Sequence, residues 1–317
     1  MFKLFKIFVA LLILLGLNYL FNHEVNPYVT QIACMIGINM IMALSLNLIS
    51  GQTGQFSLGH AGFMAIGAYT SAAVTVLAHP FLIKTFSFLP AAVAETFIFL
   101  LALLAGGLLS AFAGVLVGFP TLRLRGDYLA IATLGFAEII RVIILNLNEL
   151  GGARGFGDIP EEANFFWIFL FVLITLFTIS NLISSPKGKA LLAIREDEVA
   201  AESVGINIAR YKVIAFSIGA FFAGIGGGLY AHLMTYLHPN SFTFLESVEY
   251  VVMIVLGGMG SLTGTLIAAA GLTVLPELLR AASEWRMIIY ALLLILMMIW
   301  RPQGILGNKE WKWIRKN

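Results

Sequence analysis

The feature that most constrains this chain is a series of apolar runs, each close to the length that carries an α-helix across a lipid bilayer. A helix crossing the hydrocarbon needs ~20 mostly apolar residues. Runs near 4–21, 28–50, 57–78, 97–119, 127–147, 165–184, 213–237 and 287–300 meet or approach that length. A further apolar stretch, 248–276, is interrupted by Gly257, Gly258 and Gly260 and reads as a broken or hairpin pair. Only 11% of residues are charged and 60% are hydrophobic, whereas ordinary soluble domains carry ~25% charge. The solvent around such a chain is lipid. The expected fold is all-α, a polytopic integral membrane protein with about 8–10 transmembrane helices including broken or re-entrant segments. Residues 1–317 are expected to form one transmembrane domain.

Lys and Arg stay preferentially on the cytoplasmic side of bacterial membrane proteins. With Lys3 and Lys6 inside, counting spans places Arg123, Arg125, the segment 187–212 and the tail (Arg301, Lys309, Lys312, Arg315, Lys316) inside as well, provided 248–276 returns to the side it left. Both termini are then cytoplasmic. Trp311 and Trp313 beside the basic tail suit an interfacial anchor. The N-terminal run resembles the start of a secretory signal, but no small-x-small cleavage site follows, so it is read as the first span. The net charge of +2 is too small, and too dispersed among loops, to imply a nucleic-acid partner. The lone Cys34 cannot form an internal disulfide.

One polar island interrupts this pattern. In KGKALLAIREDEVAAESVGINIARYK, nine charged residues fall within the 26 from Lys187 to Lys212. Pro186 suits the first turn of a helix, where its missing N–H would be unpaired anyway. Asp197 can cap a second short helix, Glu198 to Val204, and Gly205 can end it in a left-handed turn. Val199 and Ser203, like Ala200 and Val204, then lie one turn apart on a weakly apolar face, with Glu198 and Glu202 beside it. A membrane-surface helix would carry lysines there; this face suits a groove in another protein. The competing reading is a solvated loop whose charges only hold topology.

Other polar features lie inside the apolar runs. Gly51-Gln52-Thr53-Gly54-Gln55 and Gly257-Gly258-Met259-Gly260-Ser261 each precede a span, and half-helix N-termini at such breaks can offer free N–H groups to a carboxylate. Turns or close helix contacts explain the glycines more simply, and a faint internal repeat would relate the two. Glu138 and Arg141 can pair on one helix face, either lining a path or bridging structurally. His60 reads as a packing residue or a ligand group. Gly106, Ser110, Gly114 and Gly118, and likewise Gly224 and Gly228, recur every four residues, so backbones can approach closely there, within the chain or between subunits. No GxxxxGK[ST] phosphate loop is present, since Gly188-Lys189 is followed by Ala190. The histidines at 23, 60, 79, 232 and 238 lack metal-ligand spacing, and no nucleophile–base pair is recognisable. The chain reads as a non-enzyme without cofactor or metal.

Four blocks carry a resemblance. SLNLISGQTGQFSLGHAGFMAIGAYTSA (45–72), RGDYLAIATLGFAEIIRVIILNL (125–147), AIREDEVAAESVGINIARYKVIAFSIGAFFAGIGGGLYAH (193–232) and VLGGMGSLTGTLIAAAG (255–271) together cover more than a third of the residues. In this order they are similar to segments of the LivM-type permease subunit of branched-chain amino acid ABC importers. The cytoplasmic loop of ABC-importer permeases has the consensus Glu-Ala-Ala-x-x-x-Gly. Ala200, Ala201 and Gly205 keep its spacing, Val199 stands at the glutamate position, and Glu198 lies one residue early.

The resemblance implies that 185–212 is an ATPase-coupling loop, with Glu198, Val199, Ala200, Ala201, Val204 and Gly205 in contact. It implies two ATPase subunits, a second, non-identical permease subunit and an extracytoplasmic amino acid binding protein as partners. It also implies a place in the bacterial inner membrane. From the breaks and the polar residues inside spans, the candidate translocation path runs past Gly51, Gln52, Gly54, Gln55, His60, Glu138, Arg141, Gly257 and Gly258. The segment ELGGARGFGDIP (149–160) departs from the shorter turn expected in the family. Two other functions stay open: a stand-alone ion-coupled transporter of a small solute using Glu138, Arg141 or Glu249 as a relay, and a membrane scaffold.

Overall fold

The computed structural model describes residues 12–21, 24–87, 90–121, 126–282, 285–301 and 303–307. Lys3, Lys6, His23, Arg123, Arg125, Lys309, Trp311, Lys312, Trp313, Arg315 and Lys316 lie outside the described residues. Within them the backbone is helical, as lipid requires of a chain that must satisfy its own peptide groups. In chain order the helices are α1 (Leu12–Phe21), α2 (Pro27–Leu46), α3 (His60–Val76), α4 (His79–Thr85), α5 (Ala91–Thr121), α6 (Asp127–Asn146), α7 (Phe165–Ser184), α8 (Pro186–Glu196), α9 (Glu198–Ser203), α10 (Ile208–Met234), α11 (Phe244–Gly257), α12 (Leu262–Leu278) and α13 (Arg286–Trp300).

Among the described residues six helices are long and apolar enough to cross a membrane: Pro27–Gly51, Ala91–Phe119, Tyr128–Asn146, Phe165–Ser184, Ile208–Met234 and Pro239–Gly257. A seventh arises if α3 and α4, bent by 60°, count as one span. The expected 8–10 is reached only by adding shorter apolar helices such as α1 and α12. The difference has a local cause: the run at 57–78 yields a helix, α3, of only 17 residues, because its first residues belong to the break before His60.

Polar residues at the ends of the runs set the boundaries. Asn164 accepts from Trp167 N, Asn207 from Arg210 N, and Ser261 from Gly264 N. Asp197 accepts from both Val199 N and Ala200 N and so starts α9, which ends at Ser203 with Val204 as its cap. Replacing a capping Asp by Ala costs about 1 kcal/mol. Asp197→Ala is therefore expected to lower amide-exchange protection across 198–203 about fivefold and to leave α10 unchanged, as hydrogen-exchange mass spectrometry can read.

The core is the crossing of α3, α5 and α10, where backbones meet without intervening side chains. A Cβ on Gly67 would meet the Gly224 backbone, and one on Gly227 would meet Met64 O, each at under 3.0 Å. Gly106 faces Gly67, Gly114 faces Ala220, and Gly228 faces Leu103 and Ser71. Ser110 Oγ donates to Phe63 O (3.0 Å) and Ala220 O (2.7 Å), joining all three helices. The four-residue glycine spacing is thus used within the chain.

The stretch 248–276 is a hairpin. Its legs α11 and α12 touch at Gly257 and Gly264, and α12 then runs antiparallel along α2. Asn47 Nδ2 donates to Thr265 Oγ1 (3.0 Å), Asn39 Nδ2 to Thr273 Oγ1 (2.9 Å), and Tyr28 bonds Glu277. The second leg therefore returns to the side where the first began. The breaks at 51–59 and 258–261, helices α8 and α9, and the segment 303–307 share one face, joined by Arg195 to Gly51 O and by Ile305 N to Leu256 O (2.7 Å). The segments 147–164 and 235–243 share the opposite face, joined by a bridge between Phe156 and Leu237. There, burial first and the Glu95 charge second raise the Glu162 pKa. Phe156, in the segment 149–160, is buried.

Candidate functional site

Two glycine-rich breaks that lie about 200 residues apart in sequence form one knot. After Leu46 the helix continues as a π turn, Asn47–Gly51, and α12 starts beyond Gly258, Met259, Gly260 and Ser261. Asn47 holds two successive residues of the second break: its Oδ1 accepts from Gly260 N (2.9 Å) and its Nδ2 donates to Ser261 O (3.0 Å). Gln52 Nε2 donates to Gly260 O (2.6 Å). A Cβ on Gly51 would lie 2.5 Å from Gly260 N, so glycine there is a condition of the contact. Sequence reading kept the two breaks apart and missed Asn47. The available signal was an amide one turn before Gly51, one of three in that apolar run with Gln31 and Asn39.

The charged island sits directly on this knot. Ser185 caps α8, whose buried Leu191 and Ile194 turn one face inward. Arg195, in the last turn, follows that face, and its Nη1 donates to Gly51 O at 2.7 Å. In α9, Ala201 is buried and Glu198 pairs with Lys212, itself only 4% exposed. Val199 (68%) and Val204 (75%) stand well exposed, and Ala200, Glu202, Ser203 and Gly205 are exposed with them. Gly205 has φ +85° with open space around it. Of the six residues expected to meet an ATPase, four face solvent; Glu198 and Ala201 face the body of the protein.

Most of the expected path residues gather at the knot. Gly51, Gln52 and Gly54 touch it or Arg195, while Gly257 packs on Gly264 and Gly258 on Gly304 and Gly307. Gln55 is buried, and neither end of its amide has a hydrogen-bond partner among the described residues. His60 Nε2 pairs with Ser45 Oγ (2.8 Å). N–H groups that the breaks were expected to offer a carboxylate are engaged by protein: Leu58 N donates to Thr133 Oγ1 (3.1 Å), Ala61 N to Ser247 Oγ (3.0 Å), and Ser261 caps α12. Glu138 and Arg141 do pair, at 2.8 Å, but toward the opposite face, where Arg141 also reaches Asn240 Oδ1 (3.2 Å).

A cavity of about 320 Å³ opens between α2, α10, α11 and α12. Its walls combine Glu246, Glu249 and Glu277 with Asn39, Tyr230 and Tyr250, and with the apolar Met35, Ile38, Met64 and Leu272. The volume falls at the lower end of small-molecule sites. Among the described residues no three His, Cys, Asp or Glu side chains are placed to hold a metal ion. Of this group only Glu249 was singled out from sequence; Glu246, three residues before it in an apolar helix, carried the same signal.

Comparison with known proteins follows the same lines. The family model for the branched-chain amino acid transport system permease component matches residues 28–299. The permease protein LivM of the high-affinity branched-chain amino acid transport system of Escherichia coli is 40% identical over 95% of this chain and 75% of its own length. Its counterpart in Salmonella typhimurium is 39% identical over the same shares. The permease protein LivH of the high-affinity branched-chain amino acid transport system of Escherichia coli is 32% identical, over 45% of this chain and 47% of its own. No solved structure matches.

Proposed function

Because the chain belongs to the branched-chain amino acid transport permease family, and within it is of LivM type, we propose that it is the membrane-spanning permease subunit of an ATP-driven importer. In this reading it moves branched-chain, hydrophobic amino acids across the bacterial inner membrane, with α8 and α9 on the cytosolic side. Two separate ATPase subunits supply the nucleotide sites. A second, non-identical permease pairs with this one, as the LivM and LivH names among its relatives imply, and an extracytoplasmic binding protein delivers the solute to the opposite face.

One observation carries the reading. The helix α9 presents Val199, Ala200, Ser203 and Val204 outward from an otherwise charged loop, while Glu198–Lys212 and Arg195–Gly51 O tie that loop to the body. Exposed aliphatic side chains on a firmly held helix suit insertion into a groove of a partner. The cavity supports the choice of cargo: its carboxylates suit an ammonium group and its Met, Ile and Leu walls an aliphatic side chain.

The test is co-purification. The double variant Val199→Asp/Gly205→Pro is expected to lose at least tenfold of the bound ATPase subunits and of ATP-dependent uptake, while the permease itself is still extracted from membranes. ATPase binding at the wild-type level would remove α9 from the coupling role. A second reading, an ion-coupled transporter, draws on Glu246 and Glu249, two carboxylates inside a spanning segment that line a cavity. Uptake by the reconstituted chain alone, driven by a proton gradient without ATP, would favour it.

A further inference from the structure

We infer that Arg195 is the positioning residue through which the α8–α9 loop acts on the two breaks, an inference that rests on the coupling role proposed above. The last carbonyls of a helix lack partners and carry its negative pole. The π turn that continues α2 ends at Gly51 and α11 ends at Gly257, so two such poles come together in the knot. The Arg195 guanidinium lies at the first of them and beside the break that follows the second. Its Nη1 is 2.7 Å from Gly51 O, and a Cβ on Gly260 would lie 2.7 Å from the same nitrogen. The aliphatic part of Arg195 runs along Gly54, 3.4 Å from where a Cβ would stand. A planar cation with several donors fits a cradle of bare backbone better than a point charge does.

The same residue is close to the exposed helix. Asp197, two positions on, caps α9, and it alone separates α8 from α9. A displacement of α9 therefore passes to Arg195 through one extended residue. Asn47 and Gln52 fasten the two breaks to each other, so a shift at Arg195 is delivered to the α2–α3 and α11–α12 junctions together. Glu198–Lys212 ties α9 to α10, which gives the loop a second support about which to tilt.

The experiment uses the full complex in proteoliposomes, with ATPases, second permease and binding protein, and measures leucine uptake and ATP hydrolysis on the same sample. Arg195→Met is expected to keep its ATPase subunits and to lower uptake per ATP hydrolysed at least tenfold. Arg195→Lys, which restores the charge without the fork, is expected to recover part of that ratio. An Arg195→Met complex with the wild-type ratio overturns the inference. So does an intact permease pair that has lost its ATPases, which would make Arg195 part of the docking surface. If the Arg195→Met permease pair fails to form, Arg195→Lys decides: a threefold or larger drop in the ratio supports the inference, and an unchanged ratio overturns it. Failure of the underlying reading looks different, because the wild-type complex itself would then show no ATP-driven uptake.

Discussion

Gly67→Val is expected to remove the folded protein from the membrane, lowering the monodisperse fraction recovered in mild detergent at least tenfold. The side chain would enter the α3–α10 crossing, where the Gly224 backbone already occupies the position of a Cβ. Overpacking against flexible side chains typically costs 1–3 kcal/mol. Here the neighbour is a peptide backbone and cannot rotate away, so α3 and α10 would have to separate. That separation would also pull Ser110 from Phe63 O and Ala220 O and expose buried polar groups to lipid, an added cost. Gly271→Ala is the matched control, because nothing lies within 4 Å of its added methyl; it is expected to behave as wild type. Wild-type recovery of Gly67→Val in size-exclusion chromatography would show that the three helices do not meet as described.

Glu198→Ala is expected to be the second most damaging change. It leaves Lys212, whose side chain is 5% exposed, without the carboxylate that faces it. Removing one partner of a buried ion pair costs about 3–5 kcal/mol. Glu198 is itself 30% exposed, so solvent can reach part of the vacated space, and about 2 kcal/mol is the more suitable figure. That corresponds to a roughly thirtyfold rise in local opening at the start of α10, measurable by hydrogen exchange over 208–215. Lys212→Met in the same background removes the stranded charge and is expected to recover most of the loss. If the double variant is no better than Glu198→Ala, the pair is not the source of the effect.

The helical membrane fold was readable because it rests on the strongest signal a chain can carry, long apolar runs bounded by polar residues. Even the hairpin at 248–276 was marked by its glycines, and the short α9 by Asp197 and Gly205. The count of full-length spans was less readable, since a run such as 57–78 loses its first residues to a break and leaves a 17-residue helix without any change in composition. The site was legible in pieces and not in its assembly. Gly51, Gln52, Gly54, Gly257 and Gly258 stood out as breaks, yet no local pattern says that the segment around residue 51 meets the segment around residue 260. That contact is made by Asn47, whose amide in an apolar run is ambiguous until its partners are known. Arg195 was one charge among nine, and only its position on the buried face of α8 distinguishes it. Exposure was also undecided: Glu198 and Ala201 share a six-residue helix with Val199, but the direction each faces depends on Lys212 and α10.

The crossing of α3, α5 and α10 has a consequence for where this molecule is stiff and where it is compliant. Peptide pressed against peptide has no rotamers to exchange, so these three helices form a chassis that tilts as a unit or not at all. The α11–α12 hairpin is hung differently, from Tyr28 and Asn39 of α2 and Asn47 of the π turn that follows it, by polar side chains whose bonds can be traded for water. Any opening during a work cycle is therefore concentrated along that softer seam, which is also the seam that encloses the cavity.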